Sequence, residues 1–212
     1  MIDLLNHPLY CITSDTVTST HADQVSSMAQ EGVKIIQVRS KKKFAREEVS
    51  RLRSAIKNAR RLGACVIVND DPILCNATGA DGVHLGSNDA PPESARLALG
   101  EGKIIGGTVH SLDEAHALKL SGYCDYAGIG PFRNSSTKRE LRPKLSLKDI
   151  TQIISFLSPI PCFLIGGLNS LDFSLLSVTG ARGICVCSGV NKGKNFGACL
   201  EHYTNESQKH YG

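Results

Sequence analysis

Cys65-Val-Ile-Val-Asn-Asp70 and, one short linker later, Gly82-Val-His-Leu-Gly-Ser-Asn-Asp89 decide how the rest of the chain is read. Cys65 to Val68 is apolar throughout rather than alternating, which suits a strand buried on both faces in a parallel sheet. Asn69 and Asp70 close it. In the linker, Asp71 stands at an N-cap position, Pro72 at the first helical position and Gly79 at a C-cap, so Ile73-Leu-Cys75 falls on a short helix. Gly82 to Leu85 is the next strand. The spacing predicts a βαβ unit whose two parallel strands deliver Asp70 and Asp89 to the same C-terminal edge, where α/β proteins bind their ligands. Taken singly, each acid reads most simply as a helix cap. Together they suggest a hard cation.

Working outward, the same alternation recurs. Strands are expected at Leu9–Thr13, Lys34–Arg39, Lys103–Val109, Asp125–Gly130, Pro161–Ile165 and Gly183–Val186. Between them lie helical stretches at His21–Gln30, about Phe44 to Leu62, Pro91–Gly100, Ser146–Phe156 and Asn169–Val178, with Ser111-Leu-Asp-Glu114 reading as a capping box. Gly106-Gly107 inside a strand implies close backbone approach. Eight βα alternations with polar or glycine-rich strand ends predict a (β/α)8 TIM barrel, one domain over residues 1–212 with a tail from about 204. A doubly wound open sheet ranks second, because no G-x-G-x-x-G follows the first strand.

Composition bounds the function. A chain of 212 residues, 41% of them hydrophobic, supports one well-buried core. Its 24 Lys and Arg against 20 Asp and Glu give a net charge of +4, suited to phosphorylated small molecules. The run Lys41-Lys-Lys43 is short and has no interleaved aromatics, so it does not read as a nucleic-acid groove. Eight cysteines occur without a C-x-x-C, several inside apolar strands, and read as buried free thiols. No segment approaches the ~18 apolar residues of a membrane helix and the N-terminus lacks a cationic flank, so a cytoplasmic location is expected.

Two anion sites emerge. In barrels of this kind a phosphate commonly sits after strands seven and eight, and Gly166-Gly167 and Cys187-Ser188-Gly189 occupy those places, with Ser188 opening the last helix. Gln37, Arg39 and Lys41 point the same way from an extended strand end and, with Lys138 and Asn69, resemble a diphosphate site to which Asp70 and Asp89 would add Mg2+. His84 and His110 lie near strand ends and read as satisfied side chains without an assigned role. Cys185 and Cys187 share a strand face and read as core packing.

From Leu9 to Ser188 the sequence resembles the thiamine phosphate synthase family. The resemblance rests on Gln37-Val-Arg39-Ser-Lys41, Asn69-Asp70, Gly82 to Asp89, Gly130-Pro131 with its Ser/Thr-rich loop to Lys138, and Ile165-Gly166-Gly167. It implies a Mg2+-dependent transferase joining a hydroxymethylpyrimidine diphosphate to a hydroxyethylthiazole phosphate with release of diphosphate. By the same resemblance Gln37, Arg39, Lys41, Asn69, Thr108 and Lys138 hold the pyrimidine diphosphate, with Arg39, Thr108 and Lys138 as the catalytic groups. Asp70 and Asp89 hold Mg2+. Ser135, Thr137, Gly167, Cys187 and Ser188 hold the thiazole phosphate. Thr108 replaces a family serine, and Ser40, Asn134 and Arg182 also depart from the pattern without removing a ligand. The alternative readings are a thiazole tautomerase, which resembles this family and characteristically lacks the paired acids and part of the diphosphate wall, and a non-catalytic thiazole phosphate-binding regulatory barrel, which needs no metal. The sequence does not set the oligomeric state, and a homo-oligomer stays open.

Overall fold

The computed structural model describes residues 7–134, 143–191 and 196–210. Eight parallel strands, β1 Leu9–Ile12, β2 Ile35–Val38, β3 Cys65–Asn69, β4 Gly82–Leu85, β5 Ile104–Val109, β6 Tyr126–Ile129, β7 Cys162–Ile165 and β8 Gly183–Val186, pair in sequence order. β1 also pairs with β8, so the sheet closes into a (β/α)8 barrel. Helices α1 His21–Gln30, α2 Arg46–Arg61, α3 Pro72–Thr78, α4 Pro92–Leu99, α5 Leu112–Ser121, α6 Leu147–Leu157, α7 Leu175–Thr179, α8 Ser188–Asn191 and α9 Phe196–Gln208 accompany it. None of these helices is long and apolar enough to cross a membrane.

The two-residue period of a strand sorts the core into two compartments. Leu9, Cys11, Ile36, Val66, Val68, Ala127, Leu164 and Ile184 face outward and pack with Val25, Met28, Leu52, Ile56 and Ile150 of the helices. The alternate residues Tyr10, Ile12, Ile35, Cys65, Ile67, Ile104, Tyr126, Phe163 and Cys185 fill the barrel interior. Tyr10, Tyr126 and Phe163 meet edge to face there, with ring centroids 5.6–5.9 Å apart; such pairs contribute about 0.5–1.5 kcal/mol beyond their burial. Opposite them β5 carries glycine. An added Cβ on Gly106 would lie 2.1 Å from Cζ of Tyr126, so the ring occupies space that any larger residue at 106 would need.

The βαβ unit that opens the reading forms as expected. Asp71 caps α3 by accepting the Leu74 N–H at 2.9 Å, Pro72 starts the helix, and Gly79 ends it in the left-handed conformation. Elsewhere the boundaries move. α2 begins at Arg46, not Phe44, because Ala45 is its N-cap and Glu48 reaches back to the Ala45 N–H at 2.7 Å. The capping box at Ser111 is half formed: its hydroxyl accepts from the Glu114 N–H, but the Glu114 carboxylate takes the His110 N–H instead. The single helix expected over Asn169–Val178 is a 3-10 turn, Ser170–Ser174, followed by α7, and the tight turn lets the buried Asp172 close a capping box on Asn169. Ser188 opens only the one-turn α8; the last helix is α9, which continues to Gln208 with Tyr203 and Ser207 buried. All eight cysteines are free thiols.

Gly106→Ala should therefore cost about 1–3 kcal/mol through overpacking against Tyr126, seen as a lower urea midpoint with an unchanged slope. A variant as stable as the parent would show that the ring is free to retreat.

Candidate active site

The inward strand residues nearest the C-terminal rim form the floor of one cavity of about 320 Å³. Ile12, Gln37, Asn69, His84, Thr108, Ile165 and Cys185 line it from seven of the eight strands. Around them stand residues just beyond the strand ends: Arg39 after β2, Asp70 after β3, Asp89 after β4, His110 after β5, Gly167 after β7 and Ser188 after β8. Period two and closure of the barrel put these residues together; no single stretch of chain carries the site.

Asp70 is the one described non-glycine residue with a left-handed backbone, φ 63°. That conformation costs an ordinary residue on the order of 1–2 kcal/mol, less for an aspartate. It persists because the Asp70 N–H donates to the His84 carbonyl oxygen at 2.8 Å, pinning the end of β3 to β4. Asp89 lies after β4, its Oδ2 accepting from the Gly86 N–H at 2.7 Å. The two acids thus reach one cavity from adjacent strands, as the shared edge predicts. Among the described residues no group of three or more His, Cys, Asp and Glu side chains gathers in a metal-binding arrangement.

On the opposite side, Gly166 (φ 109°) and Gly167 (φ 63°) turn the chain where a Cβ would collide with Pro131 and with Arg133. Arg133 fastens that turn. Its guanidinium grips both carboxylate oxygens of Asp172 at 2.7 Å and donates to the Gly167 carbonyl at 3.2 Å, tying the segment after β6 to the segment after β7. Burial by itself would raise the Asp172 carboxyl, but Arg133 and the Asn169 N–H outweigh it and hold it below the usual carboxylate value. Beside Ser188, the buried Asn191 amide donates to the carbonyls of Ile12 at 2.9 Å and Cys187 at 2.7 Å, anchoring α8 over β1 and β8. Burial pushes the Cys187 thiol up, with Arg39 acting against the rise, so the group stays uncharged next to a place suited to an anion.

A hydrogen-bonded chain crosses the floor. Gln37 Nε2 donates to the Tyr10 hydroxyl (2.9 Å), which meets the Tyr126 hydroxyl (2.9 Å), which meets His84 Nδ1 (2.9 Å); His84 Nε2 meets Thr108 Oγ1 (2.8 Å). Burial raises both tyrosine hydroxyls well above their ordinary value, so they are protonated throughout the accessible pH range.

Of the residues singled out in the sequence, Gln37, Arg39, Asn69, Asp70, Asp89, Thr108, Gly167, Cys187 and Ser188 line the cavity. Lys41 does not; it is exposed, and its backbone N–H donates to Asp15 Oδ2 at 2.8 Å. Ser135, Thr137 and Lys138 lie outside the described residues. Cys185, expected only in core packing, also borders the cavity, and so do His84 and His110, which carried no assignment. The Tyr10–Tyr126 link and the Arg133–Asp172 pair have no sequence motif. The alternation that turns residues 10 and 126 inward was the available signal for the first.

A closed (β/α)8 barrel with a glycine turn after β7, a helical turn opening at Ser188 after β8 and an arginine-lined cavity at its C-terminal rim belongs to the class of barrels that bind phosphorylated small molecules. Within that class the chain belongs to the thiamine monophosphate synthase family, whose model matches residues 9–190. A thiamine-phosphate synthase of Caldicellulosiruptor bescii is 34% identical over 87% of this chain and 84% of its own, and one of Chlorobium luteolum is 36% identical over 89% and 87%. The structure of a thiamine phosphate pyrophosphorylase from Pyrococcus furiosus superposes with a TM-score of 0.86 at 28% identity, covering 99% of this chain and all of that one.

The Arg133–Asp172 pair makes a pH prediction. Because the folded carboxyl titrates below its unfolded value, its contribution to stability is complete above the unfolded value of about 4 and is lost as pH falls through the folded one. Asp172→Asn should be less stable than the parent at pH 7 and should lose less stability on acidification, measured by urea unfolding across that range. Parallel pH curves for the two proteins would remove Asp172 from the account.

Proposed function

We propose that the protein condenses 4-amino-2-methyl-5-hydroxymethylpyrimidine diphosphate with 4-methyl-5-hydroxyethylthiazole phosphate, giving thiamine phosphate and diphosphate. The observation that carries the reading is the meeting of Asp70 and Asp89 with Arg39 in the cavity that Gly167 and Ser188 also border. Two phosphorylated substrates need two anion sites, and a barrel that only binds or rearranges the thiazole phosphate has no use for the acids. The curated relatives carry the corresponding name.

The donor set fits Mg2+: two carboxylates are hard oxygen ligands, few enough to leave positions for phosphate oxygens and water. Asp70 and Asp89 would hold it. When bound, the ion supplies positive charge that neutralises a departing diphosphate. Arg39 grips diphosphate oxygens bidentately, with Lys138 as a second cation, and Gln37 and Thr108 face the pyrimidine. Gly167, Cys187 and Ser188 offer backbone N–H groups, with the Ser188 hydroxyl, to the thiazole phosphate, joined by Ser135 and Thr137.

Bond breaking leads bond making in this proposal. The ester bond to diphosphate breaks first, leaving a methylene cation conjugated with the electron-rich aminopyrimidine, and the thiazole nitrogen then closes the new C–N bond. Fixed cations stabilise the growing negative charge more than the ground state, so no protein base is required. A thiamine phosphate assay with both substrates, with and without Mg2+, tests the reading directly. Asp70→Asn and Asp89→Asn should each abolish Mg2+-dependent turnover while calorimetry finds thiazole phosphate binding unchanged; near-native rates for both at limiting Mg2+ would take the metal away from these acids. In single-turnover kinetics, an electron-withdrawing group in place of the pyrimidine methyl should slow the chemical step by orders of magnitude. Insensitivity to that group would favour direct displacement by the thiazole.

A further inference from the structure

His84 Nε2 lies 2.8 Å from Thr108 Oγ1, which taken alone looks like a base poised to activate a nucleophile. The rest of the chain says otherwise. A tyrosine hydroxyl has one proton, and a hydroxyl this deeply buried that accepted from both neighbours would leave that proton unsatisfied, so each accepts from one partner in this chain and donates to the other. Orientation at one end therefore propagates to the other. With the Gln37 amide nitrogen donating to Tyr10, the Tyr10 proton goes to Tyr126 and the Tyr126 proton to His84 Nδ1. That leaves the imidazole proton on Nε2, donated to Thr108, and turns the Thr108 proton away from His84.

We infer that Gln37 sets the polarity of a buried hydrogen-bond wire through Tyr10, Tyr126 and His84, and that this polarity makes the Thr108 hydroxyl a donor into the cavity rather than a nucleophile. Tyr10 and Tyr126 are positioning residues. The two ends present complementary chemistry to a bound ring: the Gln37 carbonyl oxygen accepts, and the Thr108 hydroxyl donates to an unprotonated ring nitrogen or an oxygen. An aminopyrimidine, with its exocyclic amine and bare ring nitrogens, carries both partners, so the inference deepens the proposed function and rests on it for the ligand. The wire itself belongs to the resting protein. Its links are 1–7% exposed at Tyr10, Tyr126, Gln37 and His84, which keeps water from satisfying any of them in a different sense. Burial keeps both tyrosine hydroxyls protonated, so each has a proton to give to the wire.

The test reads the His84 tautomer by 15N NMR in the ligand-free, selectively labelled protein. The parent should show the proton on Nε2. Gln37→Glu is nearly isosteric, and a carboxylate only accepts; at a pH where 13C shifts show the introduced carboxyl to be ionised, the wire must reverse and the His84 proton must move to Nδ1. Tyr126→Phe keeps the ring and cuts the wire, so Gln37→Glu placed in that background should leave His84 unchanged. A parent with the proton on Nδ1, or a His84 that ignores Gln37→Glu while Tyr126 is present, overturns the proposal. So does a response that survives Tyr126→Phe. In kinetics Tyr126→Phe should lower kcat/KM for the pyrimidine diphosphate by up to about tenfold, the worth of one neutral hydrogen bond, with the KM for the thiazole phosphate unmoved; an equal loss for both substrates would mark the hydroxyl as merely structural. If the parent makes no thiamine phosphate, the functional reading falls while the NMR result still decides the wire.

Discussion

Closure of the sheet by pairing β1 with β8 is the constraint on which everything else depends. It removes both sheet edges and creates an interior just wide enough for side chains, so inward side chains must fill it. Tyr10, Tyr126 and Phe163 do most of that filling at one level, and Gly106 clears the space they need. One level higher the inward positions are Gln37, Asn69, His84, Thr108 and Cys187, and the packing turns from apolar to polar within two residues of strand. The cavity is the continuation of the core, not an addition to it. Because the tyrosine rings are part of the apolar filling and their hydroxyls part of the polar floor, site geometry and barrel packing are coupled through the same two residues.

Much of this was legible in the sequence because it follows from short-range rules. An unbroken apolar run, a cap, a proline and a glycine placed β3, α3 and β4, and the shared edge brought Asp70 and Asp89 to one rim. The eightfold alternation gave closure. What escaped depended on long-range partners. Residues 10 and 126 read as strand residues, and nothing local says that their hydroxyls meet at 2.9 Å across the barrel. Arg133 belongs to no motif, yet its fork on Asp172 and its bond to the Gly167 carbonyl hold the turn there. Lys41 was read by period two from an extended strand end, but β2 stops at Val38 and Lys41 stands exposed beyond it.

The supporting contacts also explain how a site made from so many separate strand ends keeps its shape. Asn191 ties the one-turn α8 to the carbonyls of β1 and β8, Arg133 ties the segments after β6 and β7, and the Asp70 N–H ties β3 to β4. Each tie joins neighbours in the closed order, so the rim is braced in sections around its circumference while the segments between them can differ in sequence.

The left-handed backbone at Asp70 has a consequence for heredity as well as chemistry. Only a few residues rest easily in that conformation, glycine, asparagine and aspartate foremost. From an aspartate codon both of the other two are one nucleotide away. The substitutions that the fold resists least are thus also among the most accessible, and each deletes the carboxylate. A lineage no longer selected for this carboxylate would drift first into well-folded barrels that lack it, and position 70 is where that loss would show.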